Sequence, residues 1–152
     1  VLNLSPTTEL PDKTLRALDV LIVNEHEAAW LLGRNTTSAT GTDTADVTAL
    51  LDLGPRAAVV TRGAEGATVV TRTENTETTP ATATNIPSPQ VTPVDTTGAG
   101  DAFSGAFATW LAAGATVVDA ARRAVAVAAV SVTRPGAQPS YPQLDELNDA
   151  LN

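Results

Sequence analysis

The sequence predicts an α/β fold, with helices lying on a mainly parallel sheet. Hydrophobic residues make up 43% of the 152-residue chain but aromatic residues only 3%, so Ala, Val and Leu carry the apolar share. Small aliphatic side chains suit helices packed closely on a sheet. Residues 19–23, Asp-Val-Leu-Ile-Val, form a run without polar alternation, the pattern of a parallel strand covered on both faces. A helical spacing of apolar residues follows directly. A chain of this length lies within the usual size of one domain, and one globular core is expected.

Taken in order, Val1-Leu2-Asn3-Leu4 is strand-like, and 19–23 is the first clear strand. Ala28, Leu31 and Leu32 recur at helical spacing after Asn24, and Gly33 supplies the stop. Residues 34–48 read as a connection running into a short helix through Leu50, Leu51 and Leu53. Residues 57–60 and 67–70 are two β-rich runs around a glycine-containing loop, which predicts a hairpin. Residues 73–93 are dominated by Thr and Pro; Pro80, Pro87, Pro89 and Pro93 confine any strand there to an edge. Phe103, Ala106, Phe107, Trp110 and Leu111 share one helical face before Gly114. A second helix is expected over 117–133, ended by Arg134-Pro135-Gly136, and a last one carries Leu144, Leu147 and Leu151. The uncharged stretch 102–118 holds Ser104, Gly105, Thr109 and Gly114 and falls short of the ~20 apolar residues of a spanning helix, so it reads as buried helix.

The formal charge of −8 argues against a nucleic-acid or anionic-membrane partner. The chain lacks cysteine, which removes disulfides and thiol chemistry and suits a reducing cytoplasm. His26 is the only histidine, which excludes a Ser-His triad and a histidine-based metal site. Lys13 is the only lysine, and no G-x-x-x-x-G-K-[ST] string contains it; Phe103 stands where a dinucleotide fingerprint needs its third glycine. The chain opens at Val1 without a signal-peptide pattern and reads as part of a longer protein.

The chemistry points to Asp95-Thr96-Thr97-Gly98-Ala99-Gly100-Asp101. Two glycines allow a tight turn whose N–H groups point outward at a helix start, an anion site reinforced by the helix dipole. Asp101 in the first helical turn is a candidate base. The plainer alternative is a glycine-rich turn in which Asp95 caps locally and Asp101 complements the dipole.

Extended to Ala102-Phe103, this string resembles the C-terminal signature of the ribokinase-like (PfkB) family of carbohydrate kinases. The resemblance implies the three-layer ribokinase-like fold and ATP-dependent phosphorylation of a sugar. Asp101 would be the catalytic base, with Gly98, Ala99 and Gly100 forming the anion hole and Gly100 and Asp101 lying against ATP. Asn24-Glu25-His26-Glu27 resembles the family's N-x-x-E motif, which places Asn24 near the ATP phosphates and Glu27 near Mg2+. The same residues are also a capping box, and both readings can hold together. Thr61-Arg62-Gly63-Ala64-Glu65-Gly66 resembles the T-x-G-x-x-G loop that lies along ATP.

Thr133-Arg134-Pro135-Gly136-Ala137-Gln138-Pro139-Ser140 is similar to the tail of the family's ribokinase branch. There, oxygens at positions matching Asp95, Thr97, Ser131, Arg134, Gly136 and Ser140 enclose a potassium ion. The implied acceptor is the 5-hydroxyl of D-ribose. Another sugar or a nucleoside remains an alternative within the family, and a truncated, non-catalytic nucleotide-binding module is an alternative outside catalysis. The resemblance covers only the C-terminal half of the family pattern. The other half carries most sugar contacts and the lid, through which a homodimer is expected.

Overall fold

Strands β1 (Leu2–Asn3), β2 (Val20–Asn24), β3 (Ala57–Thr61), β4 (Ala67–Arg72) and β5 (Ala81–Ile86) form one sheet in that order. The structure is a computed structural model, and it describes residues 1–33, 47–72, 79–143 and 146. β1 and β3 both run parallel to β2, with Leu2 opposite Leu21 and Leu21 opposite Ala58. Val20 to Val23 and Ala57 to Val60 are all buried, as the unbroken aliphatic runs predict. Residues 62–66 are too few for the crossover that a parallel pair needs, so β3 and β4 make the expected hairpin. β5 closes the sheet at its edge between Pro80 and Pro87, where a missing N–H costs no ladder bond. Thr68 on β4, itself buried, donates from Oγ1 to Asn85 Oδ1 on β5 at 2.9 Å.

The chain divides into two compact units instead of the single core expected from its length: Val1–Arg62 with Thr68–Asn85, and Gly63–Ala67 with Ile86–Asn152. Strand aliphatics supply one core and an alanine-rich helix pair the other. In the first unit, Leu21, Val23, Ala58, Val60 and Val70 pack with Leu4, Ala28, Leu50 and Leu51. Helix α1 (Asp12–Arg16) follows Pro11 and buries only Leu15. Five residues carry no periodic signal, and the sequence reading has no helix there. α2 (Glu25–Leu31) stands where helical spacing places it and ends before Gly33. Thr48–Leu53 is a 3-10 helix in place of the short helix expected.

In the second unit, α3 (Ala99–Ala112) and α4 (Val117–Ser131) pack on each other. Phe103 and Phe107, one turn apart, stack with ring centroids 6.1 Å apart. Complete burial of a side chain such as Phe107 stabilises by roughly 1.5–3 kcal/mol. Ala120, Ala121 and Ala124 are fully buried, and their small size allows the helices to approach closely. α3 and α4 are separated at 113–116, as Gly114 predicts, and the Thr116 hydroxyl caps α4 by accepting the Asp119 amide at 3.1 Å. Of the uncharged stretch 102–118, expected to be buried, only Ala102, Phe103 and Phe107 are, because α3 packs through one face and leaves the rest exposed or half-buried. α4 stops at Ser131, two residues short of its expected end at Thr133. No helix among the described residues is long and apolar enough to cross a membrane. Most of the expected 34–48 connection, residues 73–78, and Leu144, Leu147 and Leu151 of the expected last helix lie outside the described residues.

Candidate functional site

The residues singled out in the sequence divide between the two units. In the first, Asn24 is both the last residue of β2 and the N-cap of α2. Its Oδ1 accepts the Glu27 amide at 2.9 Å, and Glu27 Oε2 accepts the Asn24 amide at 2.7 Å, completing the capping box. Glu27 is buried and Asn24 exposed. The parallel register sets Asn24 opposite Thr61, so the two motifs meet at the carboxyl ends of neighbouring strands, where open α/β sheets bind ligands. Thr61 Oγ1 donates to Val23 O at 3.4 Å. Arg62 Nε donates to Glu25 Oε1 at 3.3 Å, an ion pair between residues 37 apart that no local pattern announces.

Beyond Thr61, Gly63–Glu65 forms a 3-10 turn with Gly63, Ala64 and Glu65 exposed, closed by the Gly66 amide on Gly63 O at 3.1 Å. Gly66 is buried at φ +97°, and a Cβ there would lie 2.0 Å from Ile86 O. Its lack of a side chain is therefore demanded by the chain's own packing.

The Asp95 turn lies in the second unit. Gly98 caps α3 in the left-handed region at φ +79°, so Ala99, Gly100 and Asp101 are the first three helical residues. The Ala99 amide donates to Thr96 O at 3.2 Å. Among the described residues the amides of Gly98, Gly100 and Asp101 have no acceptor, which leaves three donors at the positive end of the dipole. Gly100 has no positive φ, and a Cβ on it would meet nothing within 4 Å. Neither backbone nor packing demands glycine at that position, whereas an anion approaching the amides would. Asp101 is exposed, and its carboxylate has no partner among the described residues.

The tail is tied to this turn. Asp95 Oδ1 accepts the Thr97 amide at 2.9 Å and Oδ2 accepts the Gly136 amide at 2.8 Å. Hydrogen bonds from Thr97 and then from Gly136 hold the Asp95 carboxyl below the ordinary carboxylate range. Val132 O receives the amides of Val94 and Asp95 at 2.7 and 3.2 Å. Ser131 and Ser140 are buried and turn their hydroxyls to Ala128 O and Ala137 O. Arg134 grips Glu146 through both terminal nitrogens, at 3.2 and 2.5 Å. That pairing raises the Arg134 pKa and, with the Gln143 amide, lowers that of Glu146. Backbone oxygens of Asp95, Thr97, Arg134 and Gly136 accept no hydrogen bond among the described residues, while Ser131 O accepts the Arg134 amide at 3.4 Å. Tyr141, not singled out in the sequence, donates its hydroxyl to Gly98 O at 3.3 Å.

The profile of the pfkB family carbohydrate kinases matches residues 1–144. The ribokinase of Schizosaccharomyces pombe is 34% identical over 154 residues, covering 100% of this chain and 46% of its own length. The ribokinase of Thermotoga maritima superposes with a TM-score of 0.81 at 32% identity, covering 98% of this chain and 47% of that one. The Arabidopsis thaliana ribokinase complexed with ribose and ATP gives 0.78 at 30% identity, over 98% and 46%. The chain thus spans about half the length of these relatives. With the signature string at the start of α3 and the superposition running over nearly all of its length, the chain belongs to the PfkB family of carbohydrate kinases and has the ribokinase-like α/β fold.

Proposed function

We propose that this chain is the nucleotide-binding portion of an ATP-dependent sugar kinase that phosphorylates the 5-hydroxyl of D-ribose, with Asp101 as the base. The observation that carries the reading is the exposed Asp101 carboxylate in the same helical turn as three amides, none of them partnered among the described residues. In the reaction the sugar hydroxyl oxygen bonds to the γ-phosphorus, its proton passes to Asp101, and the bond from phosphorus to the bridging oxygen breaks to release ADP. Of the Gly98, Ala99 and Gly100 amides expected to form the anion hole, that of Ala99 is taken by Thr96 O. Those of Gly98 and Gly100, with that of Asp101, would supply fixed dipoles toward the phosphoryl oxygens, where charge is borne in the transition state.

Asn24, Thr61 and the 61–66 loop are assigned to ATP. Mg2+ with nucleotide phosphates takes one or two carboxylates and several waters. Glu27 fits that donor set, since its second oxygen is left after Oε2 binds the Asn24 amide. The ion would neutralise phosphate charge. Among the described residues there is no cluster of three carboxylate, His or Cys groups that would hold a metal without such phosphates. Of the six positions assigned to a monovalent cation, the carbonyls of Asp95, Thr97, Arg134, Gly136 and Ser140 accept no hydrogen bond among the described residues and would be available to potassium, whereas that of Ser131 accepts the Arg134 amide. D-ribose is taken from the tail's likeness to the ribokinase branch and from the ribokinases among the relatives.

The test is ADP release from ATP and Mg2+ that depends on added D-ribose, measured on the protein carrying this chain and on its Asp101→Asn variant. The variant keeps the shape and loses the base, so turnover is expected to fall by roughly 10²–10⁴ with ATP binding little changed. Near-normal turnover would move the base elsewhere, and equal rates with other sugars would remove the ribose assignment.

A further inference from the structure

The peptide unit joining Gly98 to Ala99 is held at both ends. Its N–H donates to Thr96 O at 3.2 Å, and its carbonyl accepts both the Ala102 amide at 2.9 Å and the Tyr141 hydroxyl at 3.3 Å. The same hydroxyl lies over the bare side of Gly98, where a Cβ would come within 2.9 Å of it and within 2.9 Å of Ala137 Cβ. A peptide unit is planar and trans, so bonds at its two ends fix the orientation of the whole unit. On either side of that plane stand the amides of Gly98 and Gly100, both without an acceptor among the described residues. The bonds from Thr96 and Ala102 are local to the turn. Tyr141 is bonded from 43 residues away and is the only tyrosine in the chain. It is the contact that references the turn to the tail on the Gly98 side.

We propose that Tyr141 is a positioning residue for the anion-binding turn: its hydroxyl holds the Gly98–Ala99 peptide plane, and through it the directions of the flanking amides. Its hydroxyl also occupies a lone pair of a carbonyl in the turn that receives the phosphate, reducing the negative potential an anion meets there. The proposal rests on reading the turn as the phosphoryl site.

Two measurements on the protein carrying this chain test it with Tyr141→Phe, which keeps the ring and removes the hydroxyl. Hydrogen exchange at the amides of Ala99 and Ala102 is expected to quicken about fivefold, the scale of one ordinary hydrogen bond, while Val125 in the middle of α4 is unchanged. Sugar-dependent ADP release should show kcat lowered by about the same factor, KM for ATP within about twofold and the thermal midpoint nearly kept. A residue that merely supports the fold would lower the midpoint and leave kcat per folded molecule alone. Tyr141→Leu, which removes the ring as well, reports packing separately. Unchanged exchange at Ala99 and Ala102 overturns the proposal, as does unchanged kcat in an active protein. A wild-type protein that transfers no phosphoryl group to sugar sinks the kinase reading instead, and exchange alone then decides whether Tyr141 holds the turn.

Discussion

Asp95 Oδ2 accepts the amide of Gly136 at 2.8 Å, a bond between residues 41 apart that joins the start of the signature turn to the tail. Thr97 and Gly136 together hold the Asp95 carboxyl below its ordinary value. A depressed folded-state pKa contributes stability that is fully present above the unfolded value, near 4, and is lost as pH falls through the folded value. Asp95 should therefore add no pH dependence above about pH 5 and a loss of stability below about pH 4. Thermal midpoints against pH should show part of the acid-side slope disappearing in Asp95→Asn, which is less stable at neutral pH because its NH2 faces an N–H donor. Identical acid slopes in the two proteins would show that the strap is not formed in solution.

Gly100 is the position at which stability and activity should part. Alanine there is free of backbone strain and meets no atom within 4 Å, and Ala is the better helix former by up to about 1 kcal/mol. Gly100→Ala should be at least as stable as wild type in urea, yet its methyl group, added in the turn whose amides lack an acceptor among the described residues, is expected to lower turnover by tenfold or more, roughly the cost of one lost oxyanion contact. Full activity in that variant would leave the glycine without an explanation in ligand approach.

Gly66 should behave in the opposite way. A Cβ there meets backbone atoms of Ile86, Pro87 and Ser88, the nearest at 2.0 Å, and the φ of +97° adds strain. Gly66→Ala is expected to cost roughly 2–4 kcal/mol in urea unfolding. Gly63 also has positive φ, at +52°, but open space around it, so Gly63→Ala should cost only about 1–2 kcal/mol. Equal losses would mean that the 86–88 backbone yields.

Potassium should strengthen ATP binding if the carbonyls of the turn and tail that accept no hydrogen bond among the described residues hold the ion. Calorimetric titration with ATP and Mg2+ in potassium, and in a bulky organic cation at equal ionic strength, separates site occupancy from general screening. Tighter binding in potassium is expected, with sodium less effective. Superimposed isotherms would take the cation out of the account.

The central strands were legible because a strand buried on both faces leaves no polar alternation, and β2 and β3 obey that rule over every apolar position. α1 was not legible, since five residues with one buried leucine carry no period. Within the site, the sequence marked Gly66, Gly98 and Gly100 alike as motif glycines. It could not distinguish a glycine required by a neighbouring backbone from one required by a left-handed cap or one required by neither, because these reasons depend on what folds against each. Arg134 was placed by its backbone, whereas its side chain is committed to Glu146. Tyr141 carries no signal in the sequence, since its role depends on the hydroxyl's bond to Gly98 O, 43 residues away. Pairings among side chains of this kind are set by tertiary structure, and only the local capping box of Asn24 and Glu27 could be read from spacing.

The order of the sheet bears on how the chain is made. β1 to β5 stand side by side in the sequence in which they are synthesised, so no strand must be threaded between two that have already paired. Each new strand adds to one growing edge, and the closure of the hairpin from β3 to β4 spans only residues 62–66. During translation, the growing edge of this sheet is at any moment the most recently formed strand, while β1, at the other end of the order and paired among the described strands with β2 alone, keeps a second edge. β5, bounded by Pro80 and Pro87, is a poor template for further pairing, so the last strand added here blunts the edge that it forms.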